Sequence, residues 1–174
     1  MENVLRTLIR DERVSLTLID ATEIVSEAIR LHHLTPSSSI ILGKALAAAT
    51  FMSACLKEET GEISVTVRGD FGSLCVSGNR KLYVRGYIDS VEDWKSCGFG
   101  NKGTFTVVRD DDYSRPFVGM CELPESGDAD GAFEEYYRIS EQLPTFIATV
   151  VELSEEGKLS LIHISEPTRQ EAIS

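Results

Sequence analysis

The stretch Thr35–Lys57, TPSSSIILGKALAAATFMSACLK, decides how the chain is read. Thr35 can accept a hydrogen bond from a free amide of a first helical turn, and Pro36 stands where a helix has no amide hydrogen to lose. From Ile40 to Leu56 polar residues nearly vanish, alanine and leucine favour helix, and no proline interrupts. Only Gly43 and the β-branched residues argue against one. A helix apolar on most of its circumference belongs in a core or in a membrane. The unbroken apolar run is short and Lys44 lies inside it, whereas a span needs about 20 residues. The stretch therefore predicts a buried central helix. Ala45, Ala47, Ala48 and Ala49 are small enough to let neighbouring elements come close.

Outward from this helix, the amino-terminal side reads as strand then helix. In VSLTLID (14–20), Val14, Leu16 and Leu18 alternate with Ser15 and Thr17, which predicts a strand with the three apolar residues on one face. Asp20 or Thr22 can cap a helix running to about His33, with Ile24, Val25, Ala28 and either Leu31 or Ile29 as its apolar stripe. His32 and His33 fall in its last turn, where a partial cation suits the carbonyl ends.

The carboxy-terminal side changes period. After the polar stop at 58–62, Ile63, Val65 and Val67 alternate with Ser64 and Thr66, and Gly69-Asp70-Phe71-Gly72 turns the chain. Leu74 and Val76 follow, then a Gly78-Asn79 turn, then Leu82, Val84 and Tyr87-Ile88. Short strands joined by tight turns predict an antiparallel meander. The Gly69–Gly72 turn lacks the spacing of a phosphate loop, and Asp110-Asp111-Asp112 lacks the pattern of a calcium loop. Residues 89–103 are irregular and hold the single tryptophan, Trp94. Strands are predicted over Thr104–Arg109, Arg115–Leu123 and Thr145–Leu153. A polar linker is expected at 125–131 and an amphipathic helix at 132–143, which Pro144 ends. The fold class is α+β: an antiparallel β-meander sheet packed with a buried Ala-rich central helix and two further helices.

Composition narrows function. The 174 residues suit one domain, and a net charge of −11 opposes a nucleic-acid partner, which would require clustered Lys and Arg. Met1-Glu2-Asn3 gives no basic start and no apolar run follows it, so neither a signal peptide nor a membrane partner is expected and the cytoplasm is the default location. Cys55, Cys75, Cys97 and Cys121 form no CxxC or CxC, and no His pair sits at metal-ligand spacing. They read as reduced, partly buried thiols whose individual roles the sequence leaves open. No nucleophile–base pair, paired carboxylates or phosphate loop is recognisable, so no catalytic, metal or cofactor residue is assigned and the chain is read as a non-enzyme.

Leu159–Arg169, LSLIHISEPTR, matches the translation of a transposase-type sequencing adapter. Residues 159–174 are therefore expected to be a non-native tail, and residues 1–158 a domain truncated at its carboxy end.

Five segments together resemble the heat-shock protein 33 family of redox-regulated holdase chaperones: DATEIVSEAIRLHHLTP (20–36), LGKALAAATFMSACLK (42–57), VRGYID (84–89), NKGTFTVVRD (101–110) and, most specifically, YYRISEQLPT (136–145). Their order and spacing resemble that family's amino-terminal domain over residues 3–153. The resemblance departs at GDFGSLCVS (69–77), where the family carries a longer Gly-Pro-Leu-Gly turn. It implies ATP-independent holding of unfolding client proteins under oxidative stress, with homodimers among the family's states. It also implies a carboxy-terminal zinc domain with a CxC and a CxxC as redox switch, and Cys55, Cys75, Cys97 and Cys121 match none of its ligands. The client-binding surface stays unknown from sequence. The helix 132–143 and its exit, with Tyr136, Tyr137, Leu143 and Phe146, is the candidate, against the alternative that these residues are core. Two other classes stay open: an oligomerisation or interaction module, and a thiol enzyme pairing Cys97 or Cys121 with His32 or His33.

Overall fold

The computed structural model describes residues 4–9, 14–91, 94–110 and 115–153, together with the backbone of residues 159–165. Strands β1 (Val4–Ile9) and β2 (Val14–Ile19) form a hairpin. Helices α1 (Thr22–His32) and α2 (Pro36–Ala54) follow, then the meander β3 (Glu62–Gly69), β4 (Gly72–Asn79), β5 (Val84–Ser90), β6 (Gly103–Asp110) and β7 (Phe117–Glu122). Helix α3 (Ala129–Tyr136) runs on as a π-helical turn (Tyr137–Glu141), and β8 (Ala148–Leu153) and β9 (Leu159–Ser165) close the order. One sheet has the order β5-β4-β3-β6-β7 and the other β1-β2-β9-β8, antiparallel at every pair. The α+β class, the meander and the three helices all hold.

Helix α2 starts where its cap residues require. Thr35 accepts a hydrogen bond from the Ser38 amide at 3.3 Å, and Pro36 occupies the first turn. Fourteen of its nineteen residues are buried, which requires neighbours on every side. Strands β3, β4 and β5 pack on one side, β8 and β2 on the other, with α1 and α3 alongside. Among the described residues it is the one helix long and apolar enough to cross a membrane, yet 78% of that window is buried inside the protein. It is a core helix. Ile41, Leu42, Leu46 and Phe51 lie against Val65, Val67, Leu74, Val76, Phe105 and Phe133 in a single apolar cluster, where each such side chain contributes about 1.5–3 kcal/mol.

The one charged residue of α2 enters this core with its partners. Lys44, with 16% of its side chain exposed, reaches Asp130 at 3.2 Å and Asp128 at 3.7 Å. Asp130 also accepts the Thr149 amide at 3.0 Å and the Thr149 hydroxyl, and Glu134, one turn on, accepts the Ile147 amide at 2.7 Å. Two carboxylates on one face of α3 thus satisfy backbone donors at the start of β8 and tie that strand to α2.

Three sequence expectations need correction, and one alternative is decided. In β2 the buried residues are Val14, Thr17 and Ile19 while Leu18 is exposed, so the apolar face marked by alternation is covered only at its start. The stripe of α1 uses Ile29, while Leu31 is exposed. The linker at 125–131 already contains the start of α3, because the Asp128 side chain caps it through the Gly131 amide. Strand β4 extends through Asn79, and the Asn79 side chain accepts the Lys81 and Tyr83 amides to organise the turn beyond it. Asp111 and Asp112 lie outside the described residues.

Gly43 is where α2 meets neighbours on two sides at once. A β-carbon there would stand 3.0 Å from Val25 of α1 and 3.3 Å from Val151 of β8. Gly43→Leu is expected to lower stability by about 1–3 kcal/mol through overpacking, even after the roughly 0.8–1 kcal/mol of helix propensity it regains. Urea unfolding reads this as a lower midpoint at unchanged slope. An unshifted midpoint contradicts the two-sided contact.

Candidate functional site

With α2 and α3 packed under the meander, the surfaces left for function are the outer face of the five-stranded sheet and the sheet edges. Strand alternation assigns the outer face. Its three rows, read from β7 to β5, are Val118-Val108-Ser64-Ser77-Arg85, Met120-Thr106-Thr66-Cys75-Tyr87 and Glu122-Thr104-Arg68-Ser73-Asp89. The central strands thus carry short hydroxyl and thiol side chains, while the rims carry larger apolar ones. A groove of about 690 Å³ crosses this face and is bounded by His32, Ser64, Cys75, Arg85, Tyr87 and Asp110 among others.

Exposed apolar side chains collect in three places. Leu5, Leu8, Ile9 and Leu18 stand on the β1–β2 hairpin, with β1 open on both faces. Tyr83, Tyr87 and Val91 line the β5 side. Phe117, Val118 and Met120 of β7 are joined by Ile139, Leu143 and Phe146 from the π turn and its exit; Val118 is 60% and Met120 64% exposed. Single exposed apolar residues are ordinary, but grouped ones mark contact surfaces.

The edges differ in how they are finished. The outer edge of β8 receives the carboxylates of α3, and β5 packs against α1. Strands β1 and β7 each pair on one side only among the described residues. A free edge presents unpaired backbone donors and acceptors to any extended chain.

The π turn fixes the geometry beside β7. Glu141 accepts the Tyr136 hydroxyl at 2.8 Å and pairs with Arg109 of β6 at 3.3 Å, and the Arg109 guanidinium lies 5.2 Å from the centre of the Phe117 ring. Burial and the neighbouring Glu141 carboxylate hold the Tyr136 hydroxyl protonated, its pKa well above the usual tyrosine range. Gln142 adopts a left-handed conformation and ends the turn, and the Leu143 amide returns to the Tyr137 carbonyl at 3.1 Å. The aromatic side of this element faces inward: Tyr136 and Tyr137 are buried against Phe105 and Phe51. Of the four residues named as a candidate client surface, only Leu143 and Phe146 are exposed. Tyr136 and Tyr137 are core, because Tyr136 packs over Gly119, where a β-carbon would meet its ring at 2.8 Å.

The thiols are dispersed. Cys97 is exposed, Cys55 and Cys75 are half-buried, and Cys121 is buried beneath β7. Burial, with the Glu135 carboxylate adding to it, pushes the Cys121 thiol up to about 11, so it is a poor nucleophile at neutral pH. His32 lines the groove that contains Cys75. Among the described residues no group of three or more His, Cys, Asp and Glu stands close enough to hold a metal. These cysteines do not fit the zinc tetrad that the resemblance implies.

The model of the family described as Hsp33 protein matches residues 2–162. The chain belongs to the Hsp33 family. Among curated relatives, the 33 kDa chaperonin of Bacillus pumilus is 30% identical over 91% of this chain and 58% of its own length. That of Bacillus licheniformis is 31% identical over 87% and 56%, and that of Aquifex aeolicus 29% over 86% and 50%. The chain thus spans between half and three-fifths of these relatives. The crystal structure of the 33 kDa chaperonin from Thermotoga maritima superposes with a TM-score of 0.81 over 94% of this chain and 60% of that one, at 23% identity, and shows the same fold. SEQLPT (140–145), the most specific resembling motif, thereby acquires a physical role in this Hsp33 chain. Glu141 ties the π turn to β6, and the segment after it carries the exposed Leu143 and Phe146. The apolar hairpin strand β1 and the outward Val118 and Met120 were not anticipated. Alternation alone signals them, once the register says which face is covered.

Thiol alkylation tests the electrostatic reading. Native protein at pH 8 is expected to label first at Cys97, with Cys121 protected until unfolding; labelling of Cys121 alongside Cys97 contradicts its burial and raised pKa.

Proposed function

We propose that residues 1–158 form the client-holding domain of an ATP-independent holdase chaperone that protects unfolding proteins under oxidative stress. The observation that carries this reading is the grouping of exposed apolar side chains along β1 and β7, two strands that pair on one side only among the described residues. A holdase needs no reacting group. It needs apolar area, and a few hundred Å² buried at roughly 25 cal/mol per Å² reaches the micromolar range. Membership of the Hsp33 family, and the chaperonin names of its curated members, support it.

The redox switch is proposed for a part of the protein outside this chain, together with its zinc, since the four cysteines here do not fit that role. Residues 159–174 are proposed to be a non-native tail. Their first seven residues take the strand position between β2 and β8, as an alternating LSLIHIS can, and the family match reaches residue 162. The proposed location is the cytoplasm and the proposed partners are unfolded clients, without nucleic acid or membrane. A second reading, an oligomerisation module or homodimer, is favoured by one observation: β1 is apolar on both faces and has a free edge.

Light scattering of a heat-labile globular protein tests the first reading. A few-fold molar excess of the chain is expected to suppress most of the scattering without ATP, equally with and without dithiothreitol. Undiminished scattering contradicts it, and a concentration-dependent dimer in sedimentation without suppression selects the second.

A further inference from the structure

Resting on the holdase reading, we propose that the free edge of β7 is the client-docking site and that it selects extended segments alternating apolar and basic residues. Of the four strands that end the two sheets, β5 packs against α1 and β8 takes two carboxylates of α3, and the remaining two, β1 and β7, differ in charge. Strand β1 carries Arg6, which donates to Ser15, and no acidic side chain within Val4–Ile9. Beside β7 stand Glu122, Glu125 and Glu135 around a shallow cavity of about 470 Å³, with Leu123, Pro124 and Ile139 as its apolar wall. Glu135 is neutralised by a two-pronged contact with Arg138 at 2.6 and 2.9 Å. Glu122 and Glu125 have no ion-pair partner among the described residues. The nearest cation on the outer face, Arg68, lies two strands away in the Glu122 row.

An incoming strand added to β7 would find its backbone partners along the free edge, as in strand addition generally. Alternate side chains of that strand would lie beside Val118 and Met120 on the outer face. Methionine suits a surface that must accept unlike sequences, because its unbranched thioether adapts to irregular partners. The carboxylates of Glu122 and Glu125 at the carboxy end of the strand favour lysine or arginine there, setting preference and on-rate rather than bulk affinity. The scaffold under the strand is fixed: Gly119 leaves room for Tyr136, and Glu141 holds the π turn to β6. The edge is therefore presented preformed, and docking orders the client segment alone.

The probe is a short fluorescein-labelled peptide in which valine alternates with lysine, titrated against the full chain by anisotropy. Its counterpart carries glutamate in place of lysine. Wild type is expected to bind the lysine peptide and to bind the glutamate peptide at least about tenfold more weakly. Met120→Lys, and separately the double change Glu122→Lys with Glu125→Lys, should each weaken the lysine peptide by about tenfold or more. The double change should narrow or reverse the preference between the two peptides. Glu58→Lys with Glu59→Lys alters net charge equally, far from β7, and should leave binding unchanged. The two Glu changes lie on the surface and read the same site if Met120→Lys fails to fold.

Undiminished binding in the β7 variants, equal loss in the Glu58 and Glu59 control, or failure of wild type to bind the lysine peptide each overturns the proposal. Scattering of the heat-labile protein is measured on the same samples. Suppression without peptide binding removes the β7 site and leaves the holdase reading standing. Peptide binding that maps to β7 without suppression keeps the site and removes the holdase reading.

Discussion

Every other element of this chain depends on the burial of α2 from all sides. A helix with fourteen buried residues must be enclosed, and two sheets with two helices are what enclose it. Its small residues let the neighbours come close, with Gly43 between Val25 and Val151 and Ser53 against Gly78 of β4. Lys44 would be a liability in such an environment without a partner. Asp130 supplies one and spends its remaining hydrogen-bonding capacity on Thr149, so a single carboxylate joins α2, α3 and β8. Removing that carboxylate would leave the largely buried Lys44 ammonium with Asp128 alone, at 3.7 Å, and would free the Thr149 donors.

The surface follows from that core. Because α2 and α3 take the inner face of the meander, alternation sends Val118, Met120 and Tyr87 outward. Because α3 continues into a π turn held by Glu141, its aromatic residues go inward and Leu143 and Phe146 are left outside. The carboxylates of α3 take the amides at the start of β8, and among the described residues no side chain does the same for β7. A buried interior with apolar edge strands is the arrangement on which the proposed client holding rests. It also carries a hazard, since the same edges pair with any exposed strand.

Much of this was legible in the residues. Thr35 and Pro36 mark the start of α2, and alternation places Ile63, Val65, Val67, Leu74 and Val76 inward, where they are. What escaped the sequence depends on contacts between distant segments. Thr17 lies inside and Leu18 outside because of which face of the hairpin the rest of the chain covers, which composition does not encode. The stretch 125–131 looks like a linker because Gly127 and Asp128 favour turns, yet Asp128 caps a helix there. Helical spacing marked Tyr136 and Tyr137 as apolar without saying which side of α3 the sheet would cover. The two carboxylates that finish the β8 edge were invisible as a pair, because their partners lie more than ten residues away and are backbone amides.

Native-state hydrogen exchange of the α2 amides tests the central claim most directly. The account predicts that amides from Leu42 to Met52 exchange last, with an opening free energy equal to that of global unfolding, because no sub-global motion can uncover a helix enclosed on all sides. Exchange of these amides ahead of β3 and β4 would show that α2 can leave the core while the meander persists, and would contradict the account.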